Sequence, residues 1–447
     1  MQKLIDNHAQ KRILQFHYLT RNEMTLTKIR ILQIGDLHLP LVIGERNNLD
    51  DKDKTFSIEL KSRISASPTK IVYQKLFELI QSKSFDAILF MGDLTDRGDL
   101  ESFDRATRYI AQTLQLGKGR QNHDATVGIV AGNHDINRTE AKKPNLAAKF
   151  LPLNRFLASC GLPNVPVDRE VELLVKREQA TAKIVLLNSC WGCGAKEFIP
   201  EKFRDAVYSA IDGLLIDKTS EEFSQYYNRQ LDTPAFSHDT ITRVSQTRSE
   251  TPEDTVEIYV AHHNLLPQRT TRLAPYTELV NAGAMRSVLT DGSKPTIYLH
   301  GHIHEDPVEI IRVPGGSNLI SISAPLSSTG FNEIELVFNP TGLPLSCVIS
   351  PWRFSNAGVL KKTGRNVVSI LSGRRRSRDP ALSRILAYIL EKREVYWSEL
   401  SERDPAFCDP KTDDSLQECI EMLMADETVH VDNYTMTPKN WIIRSNL

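Results

Sequence analysis

Five short motifs combine aspartate, histidine and asparagine in a way that can bind metal ions. They are Asp36-Leu37-His38, residues 92–97 (G-D-L-T-D-R), residues 132–135 (G-N-H-D), His262-His263 and residues 300–304 (H-G-H-I-H). Carboxylate, imidazole and amide groups are ligands of divalent metals such as Mn, Fe and Zn. Together the motifs supply seven candidate ligands and a further histidine. That set is what a two-metal hydrolase requires.

The seven candidate ligands divide into two sets that share one carboxylate. Asp93 follows a predicted strand and Gly92 leaves room beside it, so Asp93 is the candidate bridge between two metals. The other ligands of one metal are predicted to be Asp36, His38 and His304. Those of the second metal are predicted to be Asn133, His262 and His302. Because two divalent cations roughly 3.5–4 Å apart clamp a phosphate and lower the pKa of a bridging water, these sets predict phosphoester hydrolysis. The predicted metal is Mn, with Fe or Zn as alternatives.

Three more residues are candidates for handling the phosphate and the leaving group. His134 follows the ligand Asn133, so its ring can protonate the departing oxygen. Asp96 can hold that ring in the productive tautomer, and the planar guanidinium of Arg97 can bind phosphate oxygens. The remaining motif residues are predicted to pack or line the pocket (His263, His300) or to support or cap a neighbouring group (Asp135).

Length and composition limit the class of protein. A chain of 447 residues is too long for one ordinary core, which favours two domains. The formal net charge of −1 argues against a protein that holds nucleic acid by bulk positive charge. The first 30 residues contain no apolar stretch typical of a signal peptide, and no run approaches the 18 apolar residues of a spanning helix. These features predict a cytoplasmic protein without a membrane segment.

Six cysteines are scattered through the chain, unlike the dense pattern of a disulfide framework. Two of them form the lone C-x-x-C of Cys190 and Cys193, with no second pair to complete a zinc ribbon. The interpretation from sequence is ordinary reduced thiols in a loop, with redox or metal chemistry as the alternative.

The motifs follow short apolar runs that are typical of buried strands. Strands are predicted over 28–35, 87–91 and 127–130, with helices over 70–83 and 101–115 between them. Later strands over 183–187, 256–260 and 296–299 lead to the Cys190 loop, His262 and His302, and short β-rich runs over 307–350 suggest an antiparallel finish. Residues 41–68 are predicted to form a loop or insertion, and 217–255 a partly helical excursion. Strands that alternate with helices indicate βαβ units, in which ligands lie at the carboxyl ends of the strands.

The motif set resembles the calcineurin-like metallophosphoesterase superfamily in residue type, order and spacing, over about residues 30–350. The resemblance implies the same two ligand sets and the same role for His134. It also implies an α/β (α+β) fold, a β-sandwich flanked by helices. The segment 92–98 resembles both serine/threonine protein phosphatases and class III cyclic nucleotide phosphodiesterases. The phosphatases usually carry glutamate where Asp135 stands, whereas phosphodiesterases and double-strand-break repair exonucleases share residues 132–135 (G-N-H-D).

These resemblances predict a two-metal phosphodiesterase whose substrate is a nucleotide or nucleic-acid phosphodiester. One alternative is a phosphomonoesterase, either a protein or a nucleotide phosphatase. The other is a regulatory or scaffold protein that retains the phosphoesterase fold, although a binding-only descendant would be free to lose Asp93 or His134.

The end of the chain forms a second predicted unit. The predicted divisions are an N-terminal extension (1–27), the metallophosphoesterase domain (28–354), a basic linker (355–378, with an arginine-rich run over 374–378) and a small winged-helix-like domain (379–447). In this last unit helices are expected over about 382–389, 396–403 and 412–425, and a hairpin with arms at 429–431 and 434–436. From residue 379 onward, seven Lys or Arg stand against fourteen Asp or Glu. That balance favours a protein partner or self-association over DNA binding.

Overall fold

The computed structural model describes most of the two predicted units. The described residues are 26–39, 68–194 without 144, parts of 202–210, 233–266 without 253–254, 279–303 without 293 and 295, 308–338 without 314–316, 342–370 without 356, 380–403, and 414–446 without 426–427 and 435. The predicted insertion over 41–68 falls almost wholly outside them, as do His304, Cys408 and the run 374–378. Within the described part, no helix is both long and apolar enough to cross a membrane.

Helices and strands alternate through the first half of the chain, and strands dominate the second. The helices are α1 (Pro68–Ser82), α2 (Leu100–Arg108), α3 (Leu151–Ser159), α4 (His238–Glu250), α5 (Ala282–Thr290), α6 (Pro380–Lys392), α7 (Trp397–Arg403) and α8 (Asp414–Ala425). The strands are β1 (Thr27–Ile34), β2 (Ala87–Phe90), β3 (Thr126–Ile129), β4 (Val171–Arg177), β5 (Ala180–Leu186), β6 (Val256–Val260), β7 (Thr296–His300), β8 (Val308–Ile311), β9 (Leu319–Ser323), β10 (Gly330–Phe338), β11 (Pro344–Phe354), β12 (Leu360–Lys362), β13 (Asn366–Ser369), β14 (Glu394–Tyr396), β15 (Val429–Asp432) and β16 (Ile442–Ser445).

Two mixed sheets face each other and form a sandwich. The first has the order β12-β11-β10-β1-β2-β3, with β13 also paired to β11, and the second has the order β4-β5-β6-β7-β9-β8. In the first sheet β1, β2 and β3 are parallel, and in the second β5, β6, β7 and β9 are parallel. The residues that fill the space between the sheets are aliphatic side chains of both, such as Ile31, Leu89, Ile258 and Leu299. The expected α/β fold with βαβ units and an antiparallel finish is confirmed.

Helices cover both outer faces of the sandwich. The outward side chains of β1 to β3 pack with apolar residues of α1 to α3, while those of β5, β6, β7 and β9 pack with α4 and α5. The predicted helix over 101–115 is regular only to Arg108 and continues as a π-helical turn over Tyr109–Thr113. Strand β4 was not predicted. Its sequence V-E-L-L-V-K-R alternates too little for the pattern to show, and it pairs antiparallel with β5.

The predicted basic linker over 355–378 is wrong in its central part. Residues 360–362 and 366–369 are strands that pair with β11 and extend the first sheet. Lys361 and Lys362 lie on the short strand β12 at the sheet edge, where exposed lysines discourage pairing with another chain. Lys362 also forms an ion pair with Glu333 of the neighbouring sheet surface. Two of the basic residues that suggested a linker, Lys361 and Lys362, therefore belong to an edge strand.

The C-terminal residues form a small unit in the chain order α6, β14, α7, α8, β15, β16. Its three strands pair in the order β14-β16-β15 around Trp397, Ile420 and Trp441. The predicted hairpin is partly wrong, because β15 pairs with β16 at 442–445 and not with residues 434–436. Pro438–Asn440 instead form a short 3-10 helix, and the indole N–H of Trp441 donates to the carbonyl of Met436.

The C-terminal unit packs on the first sheet through helix α8. Leu345 of β11 belongs to the same apolar cluster as the buried residues of this unit. Two ion pairs flank that contact, one between Glu418 and Lys28 and one between Glu421 and Arg365. Two of the acidic side chains counted against DNA binding therefore bind basic groups of the phosphoesterase part.

Candidate metal centre

The five motifs meet at one edge of the sandwich because each follows the carboxyl end of a parallel strand. Asp36 comes two residues after β1, Asp93 three after β2, and Asn133 four after β3. His262 and His302 each come two residues after β6 and β7 of the facing sheet. Ligands bind at the carboxyl ends of parallel strands in α/β proteins, as the sequence predicted. Both sheets therefore contribute to one site.

A buried polar network joins the two sheets directly beneath the site. The side-chain amide of Gln33 donates to the carbonyls of His300 and Ile322, at 3.3 and 3.1 Å. Asn332 donates to the side-chain oxygen of Gln33 at 3.0 Å and to the carbonyl of Ser323 at 2.9 Å. Satisfied buried networks hold elements in one arrangement. This network positions the ends of β1 and β7 relative to each other.

Two glycines allow the motif loops to come together. A Cβ added to Gly132 would lie 2.1 Å from Oδ1 of Asp93 and 2.3 Å from its backbone nitrogen. Gly92 has φ +93, and a Cβ there would lie 2.6 Å from the nitrogen of Gly132. Such contacts cannot be relieved by moving a flexible side chain end alone. These glycines are required so that the loop after β2 can approach the loop after β3.

Three candidate ligands have left-handed backbone conformations. The φ angles are +42° for His38, +48° for Asp93 and +67° for His302. Non-glycine residues in this region cost on the order of 1–3 kcal/mol each, and they cluster at functional sites. The local geometry thus opposes folding at the positions where the ligands converge.

Lone pairs of His262, Asn133 and Asp93 converge on one point, and His262 is fully buried. Its Nδ1–H donates to the carbonyl of Met91 at 2.8 Å, so Nε2 is left to act as a ligand. That Nε2 lies 3.0 Å from Oδ1 of Asn133 and 3.4 Å from Oδ2 of Asp93. Atoms bound to one metal at about 2.0–2.2 Å lie about 3.0–3.4 Å apart, so the three atoms fit a shared cation.

Asp36 and His302 lie on the other side of the same histidine. Oδ1 of Asp36 is 3.7 Å from Nδ1 of His262, and the backbone N–H of His302 donates to both carboxylate oxygens of Asp36 at 3.3 Å. The rings of His262 and His302 have centroids 5.1 Å apart. Ligand atoms of Asp36, Asp93 and His262 all lie within 4.8 Å of one another.

Asp93 faces a second cluster with the same carboxylate oxygen. Its Oδ2 lies 3.7 Å from Nε2 of His38 and 4.0 Å from Nε2 of His134, while Oδ1 accepts the backbone N–H of His134 at 2.9 Å. One oxygen of Asp93 therefore points toward both the His262 group and the His38 group. A carboxylate that bridges two metals needs this position.

His134 is oriented by a backbone group of Asp96 and not by its carboxylate. Nδ1 of His134 donates to the carbonyl oxygen of Asp96 at 2.8 Å. The Asp96 carboxylate instead lies 3.3 Å from Nδ1 of His38. Asp96 thus contacts both histidines, through different atoms. Arg97, which follows Asp96 in the chain, is exposed.

The charges of these groups shift their pKa values. Burial raises the pKa of Asp93, but the charges of His262, His134 and His38 outweigh it and hold that pKa well below its usual range. Burial lowers the pKa of His262, and the charges of Asp93 and Asp36 outweigh it and raise the pKa to about 10. The pKa of His38 rises to about 9 because Asp96, Asp93 and Asp36 together outweigh its burial. The negative charges of these carboxylates therefore favour positively charged groups beside them.

Asp135 connects the two loops and does not face the site. Its carboxylate accepts the backbone N–H groups of Gly132, Leu94 and Thr95 at 2.9 to 3.1 Å, and the hydroxyl of Thr95 at 3.1 Å. Burial, and then the charge of Asp93, raises its pKa to about 6. It fixes the loop of residues 92–98 against the loop of residues 132–135.

The two remaining histidines are buried beside the site. His300 lies under its own loop, and burial lowers its pKa to about 4. The ring of His263 lies 4.4 Å from that of His302, and burial, then the charges of His302 and His262, hold its pKa well below the usual range. Sequence reasoning missed that His263 also meets Cys190 and Cys193, and no local pattern joins residues so far apart.

The donor set fits divalent metals of the Mn, Fe or Zn type. Buried carboxylate, imidazole and amide atoms converge in two adjacent groups that share Asp93. His38 lies in one group with Asp93, and Asp36 lies with Asp93 and His262 in the other. On the division predicted from sequence, one metal would be held by Asp36, His38 and Asp93, and the other by Asp93, Asn133, His262 and His302. His304, predicted to complete the first set, lies outside the described residues.

A comparison of the sequence with models of known protein families identifies a family that has the fold described above. The model of the calcineurin-like phosphoesterase family matches residues 29–306, more than half of the chain. No curated protein sequence matches the chain significantly.

Several solved structures are similar to this chain. One is a dimetal phosphatase from Danio rerio, 12% identical, covering 77% of this chain and 99% of that one, with a TM-score of 0.44. A phosphopantetheinyl hydrolase from Mycobacterium tuberculosis is 13% identical over 67% and 90% of the two chains, with a TM-score of 0.35. A calcineurin-like phosphoesterase from Bacillus subtilis is 11% identical over 82% and 98%, with a TM-score of 0.34. Similarity this low says nothing about substrate. The family match, together with the site geometry, shows that the chain belongs to the calcineurin-like phosphoesterases.

Proposed function

We propose that this protein is a Mn-dependent two-metal phosphodiesterase that hydrolyses nucleotide or nucleic-acid phosphodiesters. The observation that carries the proposal is the position of Asp93, whose Oδ2 lies 3.4 Å from His262 and 3.7 Å from His38. Two bound cations would clamp the phosphate and supply a water of lowered pKa as the nucleophile. The chain's own residues hold the cations and handle the leaving group.

His134 is proposed as the general acid. With Nδ1–H bound to the Asp96 carbonyl, the proton available for transfer is the one on Nε2 of the imidazolium. Nε2 lies 4.0 Å from Oδ2 of Asp93, so the ring faces the proposed bridging carboxylate. The acid protonates the departing oxygen, and Arg97 binds phosphate oxygens through its planar guanidinium.

The preference for a diester rests on residues 132–135 (G-N-H-D). Phosphodiesterases and repair exonucleases of the family share this motif, whereas protein phosphatases usually have glutamate in place of Asp135. In this structure Asp135 accepts backbone N–H groups of Gly132, Leu94 and Thr95. The carboxylate is therefore engaged within the protein and is not a substrate ligand.

A substrate panel tests the proposal. The Mn-loaded full chain is assayed with bis-p-nitrophenyl phosphate, p-nitrophenyl phosphate, cyclic nucleotides, single- and double-stranded DNA, RNA and a phosphopeptide. We expect a higher kcat/KM for diesters than for monoesters. We also expect Asp93→Asn to abolish hydrolysis. A preference for monoesters would make the protein a phosphatase. No turnover of any substrate by metal-loaded protein would favour a regulatory or scaffold role.

We further propose that residues 379–447 form a winged-helix-like unit that docks a protein partner or a second copy of the chain. The order helix, strand, two helices, two strands and the pairing β14-β16-β15 support this arrangement. The excess of seven acidic residues disfavours DNA as the partner. We expect either a mass in solution above that of one chain, or a defined complex with a partner protein that contacts residues 380–446. Tight binding of a short DNA duplex at physiological salt through this unit would contradict the proposal.

A further inference from the structure

Two cysteines and a histidine form a second cluster of metal-binding atoms next to the phosphoesterase site. The Sγ atoms of Cys190 and Cys193 and a ring nitrogen of His263 all lie within 4.8 Å of one another, and all three residues are buried. The cysteines follow β5, while His263 follows β6, so two neighbouring parallel strands bring them together. The sequence alone offered only a lone C-x-x-C. The structure adds a third ligand.

The distances match those of a thiolate metal site. Sγ of Cys190 lies 3.9 Å from Nδ1 of His263. In a tetrahedral zinc site, with Zn–S of about 2.3 Å and Zn–N of about 2.0–2.1 Å, such atoms lie about 3.5 Å apart. A movement of a few tenths of an ångström by one side chain would close the difference. Both atoms now face other groups, since Cys190 lies 3.3 Å from the carbonyl of Ala131 and Nδ1 lies 2.9 Å from Oγ of Ser189.

The loop that carries the two sulfurs is already folded. The backbone N–H of Cys193 donates to the carbonyl of Cys190 at 3.0 Å, and that of Cys190 donates to the side chain of Asn188 at 2.9 Å. Oγ of Ser189 accepts the backbone N–H of His263 at 3.1 Å, which joins this loop to the end of β6. A site held in place by such contacts needs little ordering when it binds an ion.

A buried lysine brings positive charge to the same loop. Lys149 has no exposed surface, and its ammonium donates to the carbonyls of Trp191 and Cys193 at 2.6 and 2.7 Å. Metals bind cysteine in its thiolate form. Two thiolates carry two negative charges, which match those of a bound divalent cation, while Lys149 holds the loop through its carbonyls.

We propose that Cys190, Cys193 and His263 bind a thiophilic divalent cation of the Zn²⁺ type, distinct from the two ions of the phosphoesterase centre. Thiolates select Zn²⁺ over Mn²⁺, whereas the carboxylate-rich centre accepts Mn²⁺. The ring of His263 packs against those of His262 and His302, with centroids 4.8 and 4.4 Å apart. An ion on His263 would therefore stabilise the side chains that hold the second catalytic metal.

Cobalt spectroscopy of the full chain tests the site, because a thiolate-to-Co²⁺ charge-transfer band requires cysteine ligands. The apo-protein is titrated with Co²⁺ alone, and bound Zn²⁺ is counted separately by elemental analysis. The wild type is expected to show the band. Cys193→Ser is expected to lose most of it, together with one Zn²⁺ per chain and part of its thermal stability. Cys160→Ser is the matched control, since Cys160 is half-buried outside the cluster, and it should behave as the wild type.

Two results would overturn the proposal. One is a cobalt spectrum of the wild type without a thiolate band. A disulfide between Cys190 and Cys193 after purification under reducing conditions would count as this result. The other is an unchanged band in Cys193→Ser. The wild-type spectrum decides the matter even if the variant fails to fold. Neither result bears on phosphoester hydrolysis, which the substrate panel tests separately.

Discussion

The metal centre and the contact surface of the C-terminal unit use charge in opposite ways. At the centre, buried Asp36 and Asp93 face His38 and His262 within a few ångströms, and the backbone of several ligands is left-handed. At the contact surface, acidic residues of α8 meet basic residues of the sheet in ion pairs, beside the apolar contact of Leu345. Strained backbone and concentrated negative charge characterise the candidate metal centre, whereas ion pairs of opposite charge hold the C-terminal unit on the sheet.

Replacing the shared carboxylate should have the largest effect on activity. Asp93→Asn removes the charge that faces both histidine groups, so diester hydrolysis should fall by at least roughly 10²–10³-fold, the loss seen for a single transition-state-stabilising group. Steady-state kinetics with saturating Mn measures it. Asp104→Asn, on the surface of α2 and paired with Arg108, is the control and should retain activity. Near-normal turnover in Asp93→Asn would remove this residue from the centre.

The next largest effect is expected from His134→Ala, and it should depend on the leaving group. General acid catalysis is worth roughly 10²–10⁴-fold for poor leaving groups, whereas p-nitrophenolate leaves with little help. We expect a large loss with a nucleotide diester, a small loss with bis-p-nitrophenyl phosphate, and unchanged Mn content. Equal losses with both substrates would mean that His134 is not the acid.

Deleting residues 379–447 should separate the two regions. Every assigned ligand precedes residue 305, so hydrolysis of bis-p-nitrophenyl phosphate should be largely retained. The deletion uncovers Leu345 and leaves Lys28 and Arg365 without their acidic partners. Since a buried Leu contributes about 1.5–3 kcal/mol, the melting temperature should fall. A folded, Mn-loaded truncation with no turnover would show that the unit helps to build the active site.

The smallest effects should come from the two ion pairs at the contact surface. Glu421 is almost fully buried and binds Arg365 at 2.6 Å, so Glu421→Gln should lower the free energy of unfolding by about 1–3 kcal/mol. Lys28→Met disrupts the more exposed pair with Glu418 and should cost about 0–1 kcal/mol. Denaturant unfolding measures both, and kcat should be unchanged in each. A larger loss in Lys28→Met than in Glu421→Gln would contradict the roles assigned to these pairs.

The convergence of the candidate ligands could be predicted because each motif directly follows an apolar strand. Parallel strands bring their carboxyl ends together, so Asp36 and Asp93 could be placed side by side from the sequence, and the family resemblance placed His262 with them. Contacts made by backbone groups had no such signal. The carbonyls of Met91 and Asp96, which orient His262 and His134, could be found only in three dimensions.

Elements with an atypical composition were predicted less well. β12 and β13 were taken for a basic linker because Lys361, Lys362 and Arg365 suggested a solvated segment. The two lysines lie on the edge strand β12, where such residues are tolerated. The cluster of Cys190, Cys193 and His263 joins segments about 70 residues apart in the chain, a distance over which periodicity carries no information. The local sequence pattern therefore predicted most strands and the candidate ligand motifs. Contacts between distant segments were found only in the structure.

Counting Mn²⁺ bound per chain tests the central claim most directly, namely that one carboxylate joins two metal sites. Equilibrium dialysis of the full chain with Mn²⁺, which thiolates bind poorly, measures the stoichiometry, and electron paramagnetic resonance reports whether the ions are coupled. The account predicts two spin-coupled Mn²⁺ in the wild type, and weakened, uncoupled binding in Asp93→Asn. A single Mn²⁺ in the wild type, or two coupled ions retained in Asp93→Asn, would contradict it.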